Sequence, residues 1–95
     1  MKVKIQYLGL TKNLTKQSEE QLELKEGASL SQLLNKLAGI HGAPFRREVY
    51  EPDFKDVKAG FVVTINGVLS GQLNGLDTQL QNGDSVLFMS LVTGG

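Results

Sequence analysis

Residues 29–37, with the sequence SLSQLLNKL, predict a single amphipathic helix. Its apolar residues follow the i, i+3, i+4, i+7 spacing of one helix face, and they are Leu30, Leu33, Leu34 and Leu37. Ser29 precedes them and is a favoured N-cap, because its hydroxyl can accept a hydrogen bond from the first turn. We expect the helix to end at Gly39 or within the GIHG cluster of residues 39–42. A single helix with one apolar stripe must pack on another apolar surface, and a sheet provides it.

Two segments before the helix are predicted to be strands. Lys2–Leu8 alternates polar and apolar residues, so that one face carries Val3, Ile5 and Tyr7. Gln21–Lys25 alternates again with its two leucines inward, and Gly27 ends it. The polar segment Leu10–Ser18 is predicted to be the loop of a hairpin that joins these strands.

Three more strands are predicted nearer the C-terminus. Phe61–Ile65 is apolar and β-branched, and the Asn66-Gly67 pair after it favours a type I′ turn, which needs positive φ at both central residues. Residues 68–69 continue as a short strand. The turn QNGD, in which we expect Asp84 to take part, leads into the last strand, Ser85–Leu91.

The pattern between the helix and the third strand is weak. Pro44 and Pro52 exclude regular strand pairing in the segment Ala43–Gly60. A short helix at Phe45–Tyr50 is possible, and the apolar residues of this segment are expected to hold it on the core.

The resulting order is β-β-α-irregular-β-β-β. The last strand is expected to return beside the first, with the helix supplying the crossover. This order indicates an α+β fold of the β-grasp (ubiquitin-like) type, with a mixed sheet of four to five strands and the main helix on one face. A ferredoxin-like or another small α+β arrangement stays open on element order alone. We expect one domain at residues 1–91 and a flexible tail at residues 92–95.

Composition excludes several classes of function. Ten basic and ten acidic residues cancel, which gives no general affinity for nucleic acid or an anionic membrane. The chain has no cysteine, so disulfides, thiolate nucleophiles and cysteine-bound metals are excluded. We expect no metal and no bound cofactor, and we predict His41 to be a surface loop residue and Glu19-Glu20 a solvated strand edge. No signal peptide or membrane span is evident, so a cytoplasmic location is expected.

The segment LQNGDSVLFMSLVTGG at residues 80–95 resembles the C-terminal part of the MoaD/ThiS family of ubiquitin-like sulfur carriers. Gly83, Asp84 and Val86 match the family's turn into the final strand, and the closing residues match a typical ending of the small subunit of molybdopterin synthase: Val92, Thr93, Gly94 and Gly95. EGASLSQLLNKL and VTINGV resemble the family's helix start and middle strand. The usual two prolines before the valine are here Ser90-Leu91, and the first strand lacks the family's aromatic residues. The longer Ala43–Gly60 segment is similar to that of the archaeal ubiquitin-like small modifiers.

The resemblance implies a function for the last two glycines. Members of the family react through the C-terminal carboxylate, here that of Gly95, which a partner adenylating enzyme activates with ATP. Sulfur then replaces the adenylate and gives a thiocarboxylate, or an amine of a target-protein lysine attacks and gives an amide. For this purpose the tail must be extended and narrow, and Gly94 and Gly95 have no Cβ to hinder close approach. Residues 91–95 would reach roughly 17 Å when fully extended.

The alternation of the last strand suggests a docking face. If Val86 and Phe88 face the helix, then Leu87, Met89 and Leu91 lie on the open side of the sheet and lead to the tail. An apolar strip there would be a partner-binding surface, with Val92 and Thr93 of the tail as further contacts. The alternative is that the Ala43–Gly60 segment covers this second face.

The first functional interpretation is therefore a sulfur carrier for molybdopterin (molybdenum cofactor) synthesis. It is not itself an enzyme but the small subunit of a two-component synthase, a monomer that forms complexes with the adenylating enzyme and the large subunit. The second interpretation is a ubiquitin-like modifier joined to lysines through Gly95, and one chain could do both. The third is a passive β-grasp interaction module, which would keep its function without Gly94 and Gly95.

Overall fold

The computed structural model describes residues 1–50 and 57–90. These residues form a five-stranded mixed sheet in the order β2-β1-β5-β3-β4 with helices packed against it, which confirms the predicted β-grasp fold. The elements are β1 (Lys2–Leu8), α1 (Leu10–Thr15), β2 (Glu19–Glu23), α2 (Leu30–His41), α3 (Ala43–Val49), β3 (Phe61–Ile65), β4 (Val68–Leu69) and β5 (Ser85–Ser90), with 3₁₀ turns at Ser70–Gln72 and Gly75–Asp77.

The last strand lies at the centre of the sheet. β5 pairs in parallel with β1, from Lys4 opposite Ser85 to Leu8 opposite Met89. Its other edge pairs antiparallel with β3, where Phe61 lies opposite Ser90. A parallel pair needs a crossover connection, and the helices between β2 and β3 supply it as predicted.

Helix α2 begins at the predicted cap. The Gln32 amide donates to Ser29 Oγ at 3.2 Å and the Ser29 amide donates to Gln32 Oε1 at 2.8 Å, which completes a capping box. The four leucines of the stripe are no more than 1% exposed and face the sheet. The helix passes through Gly39 and ends at His41, where Gly42 with φ 85° supplies the C-cap, so the end lies in the predicted GIHG cluster.

The connection Leu10–Ser18 joins β1 to β2, which pair antiparallel as predicted, but the prediction that it is a plain loop is wrong, because it contains helix α1. The buried Thr11 hydroxyl donates to the carbonyls of Leu8 at 2.6 Å and Phe88 at 3.1 Å. Thr15 donates in turn to the Thr11 carbonyl. The buried face of α1 thus consists of threonines whose hydroxyls find partners inside the protein, and such a face gives no apolar periodicity. The second strand also starts earlier than predicted, at Glu19.

The segment after α2 packs on the same side of the sheet as α2. The predicted short helix is present as α3, and its Phe45 and Val49 are fully buried in the core with Val86 and Phe88. Pro44 lies in its first turn, where a missing N–H costs nothing. Val57, beyond residues 51–56, also packs against this core.

The start of β5 is fixed by the predicted turns. Asn66 and Gly67 both have positive φ, 52° and 84°. The side-chain amide of Asn66 makes two hydrogen bonds of 2.9 Å: Nδ2 donates to Asp84 Oδ1, and Oδ1 accepts from the backbone N–H of Ser85. Asp84 Oδ2 accepts from the Gln81 amide at 2.8 Å, which confirms that Asp84 serves the turn.

Candidate functional site

Strand β5 presents two different faces. Val86 and Phe88 are fully buried under the helices, as predicted. Leu87 and Met89 alternate with them, point to the opposite face of the sheet and are half-buried. The helices α2 and α3 pack against the first face. Among residues 1–50 and 57–90 no helix covers the second face, which we call the open face of the sheet.

The register of the sheet gathers more apolar residues around Leu87 and Met89. Met89 lies between Leu8 of β1 and Val62 of β3. Leu87 lies beside Thr64, whose other neighbour is Leu69 of β4. Leu8 and Leu69 are 46% and 48% exposed, which is high for leucine. We call this surface the open-face patch, and its members are Leu8, Val62, Leu69, Leu87 and Met89.

Sequence reasoning missed three members of this patch. Leu8 has the same parity as Lys2, Lys4 and Gln6, so the alternation of β1 already places it on the polar, outward face. The same parity argument applies to Val62 within β3. The place of Leu69 follows only from its pairing with Thr64, which the sequence does not specify.

The alternative that the Ala43–Gly60 segment covers the open face is wrong for the part that the structure describes. Phe45 and Val49 belong to the core on the helix side, and Val57 packs against that same core. Residues 51–56 lie outside the described residues. The patch is bordered at β1 and β2 by polar groups, including the Lys4–Glu19 ion pair at 3.5 Å.

The patch adjoins the point where the predicted tail begins. Ser90 is the last residue of β5, and its hydroxyl donates to Glu48 Oε1 of α3 at 2.7 Å. The predicted reactive and partner-binding residues that follow lie outside the described residues, so their roles stay predictions: Leu91, Val92, Thr93, Gly94 and Gly95.

A partly buried polar cluster lies on the helix side of the sheet. The Tyr7 hydroxyl donates to Glu20 Oε2 at 2.6 Å, and His41 Nε2 lies 2.8 Å from the same oxygen. Burial raises the pKa of the Tyr7 phenol above its ordinary value of 10.0, and the hydrogen bond and charge of Glu20 raise it further. The cluster ties the end of α2 to β1 and β2, which makes it a structural feature.

Two predictions about single residues are therefore wrong. His41 is not a surface loop residue, because its side chain is only 9% exposed and ends α2 against the sheet. Glu20 is not solvated either, because its side chain is 14% exposed, whereas its neighbour Glu19 is exposed as predicted. The polar partner comes from another element in each case, and a single segment of sequence does not show it.

The described residues offer little else that resembles an active site. A groove of about 510 Å³ lies between the end of β2 and the start of α2, where Lys36 Nζ donates to the Glu23 carbonyl at 2.7 Å. Within residues 1–50 and 57–90, no three His, Asp or Glu side chains gather as a metal ligand set. Over the same residues, no helix has the length and apolar character needed to cross a membrane.

Comparison with known proteins agrees with this fold. The model of the ThiS family matches residues 5–95, and the chain therefore belongs to the ThiS family. No match was found among curated proteins.

Solved structures show the same fold over the whole chain. SAMP1 from Haloferax volcanii superposes with a TM-score of 0.84 at 18% identity, covering 100% of both chains. Urm1 from Trypanosoma brucei gives 0.83 at 24% identity, covering 99% of this chain and 95% of Urm1. A putative molybdopterin converting factor, subunit 1, from Pyrococcus furiosus gives 0.73 at 30% identity, covering 97% and 99%.

The fold and the family define a class of protein. The chain is a β-grasp member of the ubiquitin-like sulfur carriers and modifiers, as the resemblance of its C-terminal segment implied. Proteins of this class are small carriers and modifiers and are generally not enzymes.

Proposed function

We propose that this protein is a sulfur carrier whose C-terminal Gly95 is adenylated and then thiocarboxylated by a partner enzyme, for use in molybdopterin synthesis. One observation supports the proposal most strongly. The apolar open-face patch reaches Met89 near the end of β5, and residues 91–95 of this ThiS-family chain are LVTGG. The proposed docking surface and the reactive tail therefore follow each other along the chain.

The chemistry takes place on the main chain of the tail. A carboxylate oxygen of Gly95 attacks the α-phosphate of ATP, and an acyl-adenylate forms as pyrophosphate leaves. A hydrosulfide ion (HS⁻) then attacks the acyl carbon, AMP leaves, the remaining S–H proton is released, and a thiocarboxylate remains. ATP and the catalytic groups belong to the partner enzyme, and the carrier contributes the electrophilic carbon on a chain narrow enough to enter the active site.

The open-face patch has the properties of the surface that holds the carrier on its partners. It combines half-buried residues of the central strand with exposed leucines at both sides, Leu8 and Leu69. Exposed apolar surface of this kind marks interaction sites in soluble proteins. Met89 lies at its centre, and the flexible thioether of methionine adapts to more than one partner surface. Two successive partners, the adenylating enzyme and the large subunit of molybdopterin synthase, would use the same patch.

The similarity to the Pyrococcus furiosus protein supports the molybdopterin assignment. That protein is described as a putative molybdopterin converting factor, subunit 1, and it shares 30% of its sequence over nearly the full length of both chains. The ending VTGG, which is typical of the small subunit of molybdopterin synthase, agrees with it.

The second candidate is a ubiquitin-like modifier that forms amide bonds with target-protein lysines through Gly95. The longer segment between α2 and β3 favours it, because the fold matches that of Haloferax volcanii SAMP1 along the whole length of both chains. The activated intermediate is the same in both candidates, and only the nucleophile that attacks it differs.

The experiment is to express the chain in its own cells with an N-terminal tag and to analyse it by intact and peptide mass spectrometry. Replacement of one oxygen by sulfur at Gly95 is the expected result, and it would establish the carrier. Tail peptides joined to foreign lysines would establish the modifier.

A second experiment incubates the purified chain with the adenylating enzyme of the same cells and ATP. A chain without Gly94 and Gly95 is the control, and equal pyrophosphate release from both chains would refute both candidates.

A further inference from the structure

We propose that the outer edge of β2 is a second docking site, where an extended segment of a partner protein adds to the sheet as a further strand. The segment carries basic side chains four residues apart and aliphatic side chains between them. This inference goes beyond the proposed function, because it requires neither the Gly95 carboxylate nor the open-face patch.

The edge has main-chain groups that can pair with another strand. β2 is the first strand in the order of the sheet, and within residues 1–50 and 57–90 only β1 pairs with it. The Leu24 amide donates to the Met1 carbonyl, so the even-numbered residues of this stretch turn their main-chain groups towards β1. The main-chain groups of the odd-numbered residues therefore point away from the sheet, at Glu19, Gln21 and Glu23. The opposite edge, β4, consists of Val68–Leu69 and is too short for a ladder.

One of these outward groups already accepts a hydrogen bond from outside the sheet. Lys36 of α2 reaches the edge, and its Nζ donates to the Glu23 carbonyl at 2.7 Å. This bond is exposed to solvent, where exchange of one donor for another costs little. A main-chain N–H of an added strand can therefore replace the ammonium.

The side chains of the edge select a basic partner. Glu19 and Glu23 are exposed and lie on the open face of the sheet, with Gln21 between them. Side chains directly opposite in an added strand would lie about 5.5 Å away, within reach of an ion pair. β1 shows the same selection on the inner side of β2, because Lys2 lies opposite Glu23 and Lys4 Nζ lies 3.5 Å from Glu19 Oε2.

The other face of an added strand would meet apolar surface. Leu22 and Leu24 are half-buried on the helix side and pack against the core. The groove of about 510 Å³ that begins at Leu24 continues along Ala28 and Gln32 of the neighbouring segment. An aliphatic side chain opposite Leu24 would enter this groove and remove apolar surface from water. The partner segment therefore alternates aliphatic and polar residues, with the basic ones opposite the two glutamates.

A second copy of this chain fits the edge poorly. Antiparallel pairing of two β2 strands about Gln21 would place Glu19 of each copy opposite Glu23 of the other. Like charges directly opposite each other destabilise a strand pair. The acidic edge thus disfavours self-association and remains available to a basic strand.

The test uses the full chain labelled with ¹⁵N and a synthetic peptide of sequence VRVQVRV, blocked at both ends. The peptide reads the same in both directions, so its arginines face the two glutamates in either strand orientation. Saturation with the peptide should slow hydrogen exchange at least about tenfold at the outward amides, those of Glu19, Gln21 and Glu23. The Leu24 amide is already bonded to Met1 and should change little. The control peptide VEVQVEV should bind at least about tenfold more weakly.

Variants of the chain separate edge pairing from a general attraction between charges. Glu19→Gln and Glu23→Gln should each weaken binding of VRVQVRV about two- to fivefold. Asp77→Asn removes an exposed carboxylate in a 3₁₀ turn outside β2 and should leave the affinity unchanged. Glu19→Lys combined with Glu23→Lys should invert the preference, so that VEVQVEV binds better than VRVQVRV.

Three results would overturn the proposal. The first is equal affinity of the wild-type chain for the two peptides, which requires no variant. The second is unchanged hydrogen exchange at the outward amides of β2 when VRVQVRV is bound. The third is protection of these amides without peptide that rises with protein concentration, because a second copy of the chain would then occupy the edge.

Discussion

The two faces of β5 differ in what packs on them, although they belong to the same six residues of backbone. Val86 and Phe88 face α2 and α3 and are fully buried, whereas Leu87 and Met89 are half-buried on the open face. Because side chains alternate along a strand, one set of side chains in this central strand forms the core and the other set forms the proposed docking surface. Stability and recognition should therefore be separable by mutation at adjacent positions.

The largest expected effect is on the buried face. Phe88→Ala should lower the free energy of unfolding by about 3–5 kcal/mol, because a large cavity would form in the centre of the core. The ring centroid of Phe88 lies 6.0 Å from that of Tyr7 and 5.7 Å from that of Phe61, so both of these rings would lose a packing partner. Denaturant unfolding measures the change, and a loss below about 1 kcal/mol would contradict the assignment of this face to the core.

The adjacent position should respond in the opposite way. Leu87→Asp is expected to keep the fold and to change the free energy of unfolding by about 1 kcal/mol, since its side chain is half-buried on the open face. Binding to the adenylating enzyme should weaken about 10- to 100-fold, as a charge enters the apolar contact. Titration calorimetry measures the affinity and circular dichroism the fold.

The matched control is Gln21→Asp. It adds the same charge on the open face but on the edge strand β2, outside the patch, and should bind like the wild type. An unfolded Leu87→Asp variant, or an equal loss of affinity in both variants, would contradict the expected division between a stabilising face and a partner-binding face.

A third test concerns the start of β5, where a side chain acts through hydrogen bonds and not through burial. Asn66→Ala should lower the free energy of unfolding by about 1–2 kcal/mol. It removes the side-chain hydrogen bonds to Asp84 and Ser85 and places an alanine, which tolerates positive φ poorly, at φ 52°. Asn66→Gly removes the same bonds but tolerates the positive φ, so the difference between the two variants in thermal unfolding isolates the backbone strain. Equal stability of both variants would show that the strain contributes nothing.

The smallest expected effect concerns the buried face at high pH. Burial and Glu20 raise the pKa of Tyr7 in the folded protein above 10.0. The unfolded chain would therefore lose this proton first as the pH rises. The corresponding stability is complete below pH ~10 and declines above it, with a slope of up to about 1.4 kcal/mol per pH unit.

Tyr7→Phe should remove this decline. It should also lower the free energy of unfolding by about 1 kcal/mol near neutral pH, because the substitution removes the hydrogen bond to Glu20. Urea unfolding between pH 8 and about 11 compares the variant with the wild type. Tyr50→Phe is the control. Burial also raises the pKa of Tyr50, so this variant should lose only the part of the decline that is due to Tyr50 and keep the part that is due to Tyr7. Parallel pH profiles for Tyr7→Phe and the wild type would contradict the assigned role of Tyr7.

The parts of the candidate site that the sequence predicted follow from local periodicity. Alternation along a strand predicts that Leu87 and Met89 lie on the open face, and the structure confirms that placement. The contacts that sequence reasoning missed join distant segments. The Ser90–Glu48 bond spans 42 residues, and the bond between His41 and Glu20 spans 21. No periodic pattern within one segment encodes such a pair.

The sequence by itself determined the order of the main strands, the capped helix α2, the Asn66-Gly67 turn and the division of β5 into two faces. Each of these depends on a few neighbouring residues and their conformational preferences. The tertiary structure alone decided that residues 10–15 form a helix, that the His41 side chain is largely buried, and that Leu8, Val62 and Leu69 join one patch with Met89. These features depend on the register and packing of elements far apart in the chain, where burial and hydrogen bonds outweigh local propensity.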